Sequence, residues 1–255
     1  MTMRRVGQQW RIFPCLGLVF SGMAWGFEPV EFDNGAVLDV SAQFSWINMK
    51  RLSGPNPLLM DPTNSAAFNA DDGNRTVGRH GTISNRLGAV VDVNLTKDEY
   101  RAFARFSSVY DDALHHGNAN HSPATFNAMT PSSRYGTEVR ELVGGRTRLL
   151  DAYAQGRWKL GDDAAYPLTV KVGRQVLAWG EGLYFMGIGG SMNPQDGYKA
   201  QIPGTPIKEM FLPSEQVSAT LGLGRQTMLT GYAKWAFRET EVPPVGSYFR
   251  SSAIL

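Results

Sequence analysis

An arginine and a glutamate, Arg174 and Glu181, flank a glycine-containing bend in the second half of the chain. An acid and a base at this separation could exchange protons with a substrate. A catalytic site would also need a second carboxylate or a nucleophile–base pair, and neither accompanies them in the sequence. Because a charged pair on the polar side of a strand needs no catalytic role, we predict an ion pair and no enzymatic activity.

Three of the four histidines, His115, His116 and His121, lie within seven residues of one polar segment. Imidazoles are ligands for transition metals. Their spacing matches neither a helix face nor a strand face, so no rigid element would hold them in place. The glycines between 187 and 190 lack the G-x-G-x-x-G spacing and the following basic residue of a phosphate-binding loop. The sequence therefore predicts neither a metal nor another cofactor.

Residues 1–26 have the composition of a cleavable secretory signal, with a basic leader, an apolar stretch and small residues at the end. The apolar stretch, Ile12–Met23, is shorter than the ~20 residues that a membrane-spanning helix requires. We therefore expect cleavage after Gly26 and export of residues 27–255. An N-terminal anchor that is never cleaved is the alternative.

The net excess of positive charge in the chain comes from the same segment. The sequence has 25 Lys and Arg residues and 23 Asp and Glu residues. Three of the basic residues and none of the acidic ones precede residue 27, so residues 27–255 carry a formal charge of −1 with histidines neutral. The basic balance of the whole chain gives no support for nucleic-acid binding. The single cysteine, Cys15, also precedes the cleavage point, so the exported part has no disulfide framework.

Alternation of apolar and polar residues marks the strands. Between Leu38 and Trp46 the even positions are apolar and the odd positions are polar, so a pleated strand would have one face of each kind. The tracts at 83–95 and 100–110 form a hairpin across the short turn Thr96–Glu99. In all, the pattern predicts antiparallel strands at 37–49, 83–95, 100–110, 147–160, 168–177, 215–223 and 226–238.

The predicted connections alternate between short turns and long polar segments. Outer-membrane β-barrels have short periplasmic turns and long external loops, and their strands have one face for lipid and one for water. We therefore predict an all-β protein that forms an antiparallel transmembrane β-barrel. Since seven strands is an odd number below the minimum of about eight for a closed bacterial barrel, we expect the barrel to be incomplete.

Short motifs follow one another in a fixed order in the second half of the chain. They are Gly173–Val176, Trp179–Glu181, Gly187–Ile188, Asn193–Pro194 with Asp196, Pro203–Gly204, Lys208–Glu209, Leu212–Pro213 and Gly246–Phe249. This ordered set resembles a family of Gram-negative outer-membrane proteins known as domain of unknown function 1302. The resemblance implies a large outer-membrane barrel in a family associated with the uptake or handling of hydrophobic compounds. Typical members are much longer, so we expect this chain to be the N-terminal portion of one.

An irregular segment rich in glycine and proline, Trp179–Pro213, interrupts the strand pattern. In a barrel it would fold inward or cross the mouth, so we predict a constriction or a ligand-contacting region. An ordered external loop without a ligand is the alternative. Arg101 and Arg105 would also line a lumen and could favour anionic solutes; the alternative is that they simply fill or hydrate the barrel interior. The candidate lumen or constriction residues are Arg174, Trp179, Glu181, Asn193, Asp196, Lys208 and Glu209.

Two functions are compatible with these features. The first is an outer-membrane channel or binding protein for hydrophobic small molecules, in contact with outer-membrane lipid; its substrate class comes from the family resemblance alone. The second is a secreted all-β hydrolase or carbohydrate-binding sandwich, in which the same alternation would bury one sheet face in a core. An apolar face that no second sheet covers would distinguish the first from the second.

Overall fold

One antiparallel β-sheet organises the chain in a computed structural model that describes residues 15–61, 63, 72–121, 132–161, 166–177, 190, 192–205, 207–224 and 227–250. The strands of this part of the chain are β1 Cys15–Gly26, β2 Val30–Glu31, β3 Val37–Arg51, β4 Thr82–Lys97, β5 Tyr100–Asp111, β6 Gly145–Leu160, β7 Tyr166–Gln175, β8 Ser214–Leu223 and β9 Thr227–Lys234. Their spatial order is β1-β3-β4-β5-β6-β7-β8-β9, and the two-residue β2 also pairs with β3. The predicted antiparallel all-β class is confirmed. Among the described helices, none is long and apolar enough to cross a membrane.

All seven strands predicted from the alternation are present, and they correspond to β3 through β9. β9 ends at Lys234, four residues earlier than predicted. The hairpin of β4 and β5 is confirmed, with Lys97 opposite Tyr100 across a two-residue turn. Asp98 in this turn has a φ of 48°, in the left-handed region that aspartate tolerates better than most residues.

β1 consists of residues from the predicted secretory signal. It pairs with β3 along most of its length, from Cys15 opposite Arg51 to Gly26 opposite Ser41. β1 therefore forms one edge of the described sheet, and β9 forms the other. Cleavage after Gly26 remains a prediction; it would leave β3 with β2 as the edge.

The two faces of the sheet differ in chemistry. Residues directly opposite one another in antiparallel strands share a face. On one face Asp92 lies opposite Arg105, and Ser41 lies opposite Asp92. On the other face large apolar side chains remain open, with Leu87 60% and Phe106 44% exposed. The described residues contain one sheet only, so no second sheet covers this apolar face as a sandwich would require.

The short turns lie at one end of the sheet and the long connections at the other. We call the described residues of 52–81, 112–144, 192–213 and 235–250 the cap. Its helical elements are α1 Asp72–Thr76, α2 Thr137–Val139 with a π-turn at Arg140–Gly144, α3 Ile207–Met210, and 3-10 turns at Pro57–Leu59, Asp112–Leu114 and Lys199–Gln201.

The main hydrophobic core lies between the cap and the end of the sheet. Strand residues Ile47, Met49 and Ile83 contribute to it, and every segment of the cap adds at least one side chain. The cap members are Val77, Leu114, Tyr135, Val139, Val143, Tyr198 and Ile202, with Tyr248 and Phe249 packed against them. The chain therefore buries its core at the end of one sheet rather than between two layers.

Candidate functional site

A buried ion pair attaches the cap to β5. Lys199 lies in a 3-10 turn and Glu209 in α3, and the Lys199 Nζ is 3.0 Å from a Glu209 carboxylate oxygen. The same ammonium is 3.3 Å from the Ser107 Oγ, on the polar face of the sheet. Lys199 is 5% and Glu209 7% exposed. Burial lowers the pKa of Lys199 below its ordinary value, although the neighbouring Glu209 acts in the opposite direction.

A second set of ion pairs joins the cap to β6. Arg148 donates to Asp196 over 2.5 Å, and the other Asp196 oxygen accepts from the backbone N–H of Lys199 at 2.9 Å. Arg146 and Arg148 also donate to Glu241 at 2.8 and 3.0 Å. Burial alone would raise the pKa of Glu241, but Arg148 and Arg146 outweigh burial, so this pKa lies below its ordinary value.

Two of the predicted site residues, Asp196 and Glu209, converge on Lys199. Asp196 binds its backbone N–H, and Glu209 binds its ammonium. The described part of the irregular segment therefore lies over the polar face, where it contacts Ser107 and Arg148. The role of this segment as a constriction stays a prediction.

The other predicted residues have different surroundings. The Arg174 Nε is 3.9 Å from Glu215, its partner across β7 and β8. Asn193 is buried and exchanges hydrogen bonds with the backbone of Leu177, so it is attached to the chain just after β7. Lys208 belongs to α3, but its side chain is outside the described part of the structure. Trp179 and Glu181 are also outside the described residues, as is the predicted Arg174–Glu181 pair.

These ion pairs are completed by Lys199, Arg148 and Glu241, which were not predicted from the sequence. Lys199 and Glu241 lie in segments without apolar periodicity, and the Arg146–Glu241 contact spans 95 positions of the chain. Of the three, only Arg148 could have been recognised as a candidate, since it is a charged residue in a predicted strand. Its partner could not be inferred from strand spacing.

An open cleft lies between two segments of the cap, at the β9 edge of the sheet. Its volume is about 700 Å³, within the range of small-molecule sites. Met192, Trp235 and Phe237 supply apolar surface, and Phe237 is 89% exposed. The remaining lining residues are Asn193, Pro194, Ser214, Lys234, Ala236, Arg238, Glu239 and Thr240.

Of the three clustered histidines, His115 and His116 have side-chain contacts in the described structure, and His121 is exposed. The ring of His115 stacks on Tyr110 with centroids 4.8 Å apart, and its Nε2 lies 3.0 Å from the Gly144 carbonyl. The His116 Nε2 is 3.1 Å from Asp112. Within the described residues, no three or more His, Cys, Asp or Glu side chains are grouped to hold a metal ion.

These features define a class of protein: an antiparallel all-β chain in which irregular connections form an ion-paired cap over one polar sheet face. Residues 12–255 match the family model described as "Protein of unknown function (DUF1302)", and the chain belongs to this family. The membership predicted from the ordered motifs is thereby confirmed. Neither the curated proteins nor the solved structures provide a match.

Proposed function

We propose that the protein is a non-enzymatic outer-membrane channel or binding protein for hydrophobic small molecules. In this proposal the sheet is part of a transmembrane β-barrel, residues 1–26 direct export, and the cap forms the constriction. The observation that carries the proposal is the open apolar face opposite a polar face. Large apolar patches are unfavourable in water but are the normal surface of a strand in lipid.

The dimensions of the strands support this proposal. β3, β4, β5 and β6 contain 15, 16, 12 and 16 residues, enough for the ~9–11 that a tilted transmembrane strand needs. On β5 the aromatic residues Tyr100 and Tyr110 lie near opposite ends of the apolar face. Ten residues at ~3.3 Å each span about 33 Å, or about 23 Å along the membrane normal at a 45° tilt. Barrels have aromatic girdles at the edges of an apolar band of about 25 Å.

The cleft gives the proposal a binding surface. A hydrophobic molecule that enters this cleft meets the Met192, Trp235 and Phe237 side chains before it reaches the polar face. Aromatic and methionine side chains provide large, adaptable apolar contact area. We therefore propose that the solute first contacts this cleft. The rest of the cap then restricts its passage.

Expression of the whole chain in a Gram-negative host tests the proposal. We expect the protein in the outer-membrane fraction, as a band whose gel mobility changes on boiling. We also expect faster entry of the neutral hydrophobic dye N-phenyl-1-naphthylamine into intact cells. Trp235→Ser with Phe237→Ser should slow entry, whereas Val242→Ser, an exposed apolar position nearby, should not. A soluble protein that leaves dye entry unchanged would refute the proposal.

A further inference from the structure

Two adjacent cross-strand rows on the polar face lie between the cap and the short turns. The first row runs across β4 to β7 through Asn94, Phe103, Tyr153 and Gly173. The second row, two residues nearer the turns, runs through Thr96, Arg101, Gln155 and Lys171. One row thus contains two aromatic rings, and its neighbour contains two cations.

The rings and the cations are in contact. The centroids of Phe103 and Tyr153 are 5.4 Å apart, with 36° between the ring planes. The Arg101 Cζ is 5.3 Å from the Phe103 centroid, and the Lys171 Nζ is 5.1 Å from the Tyr153 centroid. Cation–π contacts at these distances hold the charged ends beside the rings. Beside Tyr153 the row continues as bare backbone, because Gly173 has no side chain.

Among the described residues, neither Arg101 nor Lys171 has a carboxylate within ion-pair distance. Arg105, one row nearer the cap than Phe103, is paired with Asp92 at 2.7 Å and with Asp151 at 3.6 Å. Arg101 instead donates its Nε–H to the neutral Asn94 side chain. In the described part of the chain no carboxylate lies within 4.0 Å of Lys171, which Arg101 and Arg157 repel and only the already paired Asp151 attracts. The second row therefore carries uncompensated positive charge in a half-buried setting.

We propose that these two rows bind amphiphilic organic acids. The carboxylate would lie between Arg101 and Lys171, and the apolar part would lie along Phe103, Tyr153 and the bare backbone at Gly173. Hydrogen bonds from arginine and lysine to a carboxylate are about twice as strong as neutral ones, and partial burial strengthens them further. This inference rests on the proposed function, because the polar face must line the path of a solute; it adds the chemical class of that solute.

Equilibrium dialysis of the whole chain in nonionic detergent, with protein-free micelles subtracted, tests this inference. The probes are dodecanoate and 1-dodecanol at pH 8, which share a chain length and differ in charge. We expect the chain to prefer dodecanoate. Arg101→Gln with Lys171→Gln should weaken dodecanoate binding at least about tenfold, equivalent to ~1.4 kcal/mol, and leave 1-dodecanol unchanged. Lys50→Gln removes an exposed charge from the other face and should have no effect.

The controls separate the possible failures. Heat-modifiable gel mobility shows that each variant is folded, and Lys171→Arg, which keeps the charge, should retain the preference for dodecanoate. Equal binding of the two probes by the unaltered chain, or a double variant that still prefers dodecanoate, would overturn this inference alone. If neither probe binds and dye entry is also unchanged, the proposed function fails as well.

Discussion

At the scale of single residues, Gly173 has little freedom to change. Its φ is 131°, and a Cβ added there would lie 2.4 Å from the Ala152 carbonyl oxygen. Gly173→Ala must therefore strain β7 and push it away from β6, at a cost of about 2–4 kcal/mol. Gly231→Ala on β9 is the matched control, because its added Cβ meets nothing within 4 Å. Urea unfolding midpoints in detergent should fall for Gly173→Ala only; equal midpoints would contradict the argument.

The Lys199–Glu209 pair provides a second test at this scale. Lys199→Met leaves the buried Glu209 carboxylate without its cation, and breaking a buried pair in this way costs about 3–5 kcal/mol. Lys199→Met with Glu209→Leu removes both charges and should regain most of the loss. The unfolding midpoints of the two single variants and the double variant give the coupling between the sites. Additive effects would show that the two side chains do not act as a pair.

Single residues of the site were only partly predictable from the sequence. Asp196 and Glu209 came from family motifs, not from a physical pattern. Their cationic partners lie elsewhere in the chain, with 48 positions between Arg148 and Asp196. No periodicity of a helix or strand extends across such a distance, so these contacts are a property of the folded cap.

At the scale of elements, the strands were predictable because alternation with period two is a local signal. β3 to β9 each contain it. β1 does not, since Cys15–Gly26 is almost entirely apolar or small, and its composition favours a secretory signal instead. The arrangement of the cap was not predictable, because its short helices are fixed by contacts with the sheet.

The segment after β9 is attached to β6 through Glu241, and this attachment should depend on pH. Because the pKa of Glu241 in the folded chain lies below its ordinary value of 4.5, its stabilising effect is present above that value. The effect is lost as the pH falls through the lower, folded-state pKa. Glu241→Gln should therefore lower the unfolding midpoint at pH 7 and have a smaller effect at pH 3.5.

Glu239→Gln is the matched control for this experiment. Glu239 is exposed and lies two residues before Glu241. Among the described residues, no basic side chain lies within ion-pair distance of it. We expect the Glu239→Gln variant to have the same unfolding midpoint as the unaltered chain at both pH values. A loss at Glu241 that is the same at pH 7 and pH 3.5 would show that the carboxylate charge does not hold this segment.

At the scale of the whole molecule, the chemistry of each sheet face follows from the sequence, but the environment of each face does not. Alternation alone also fits a sandwich, in which a second sheet would cover the apolar side. The described chain instead covers its polar side, with the cap, and leaves the apolar side open. The surroundings of the apolar face are therefore the property of the whole molecule that most needs an experiment.

Arginine scanning of the two faces provides that experiment. Phe106 lies in the middle of β5 on the apolar face, opposite Val91 and Leu149. If this face contacts lipid, Phe106→Arg should cost about 2–4 kcal/mol near the bilayer centre and reduce the heat-modifiable protein in the outer membrane. Ser41→Arg places the same charge on the polar face opposite Asp92 and should be tolerated. In a water-exposed sheet, arginine in place of an exposed phenylalanine would do no harm, so equal recovery of both variants would rule out a lipid-facing surface.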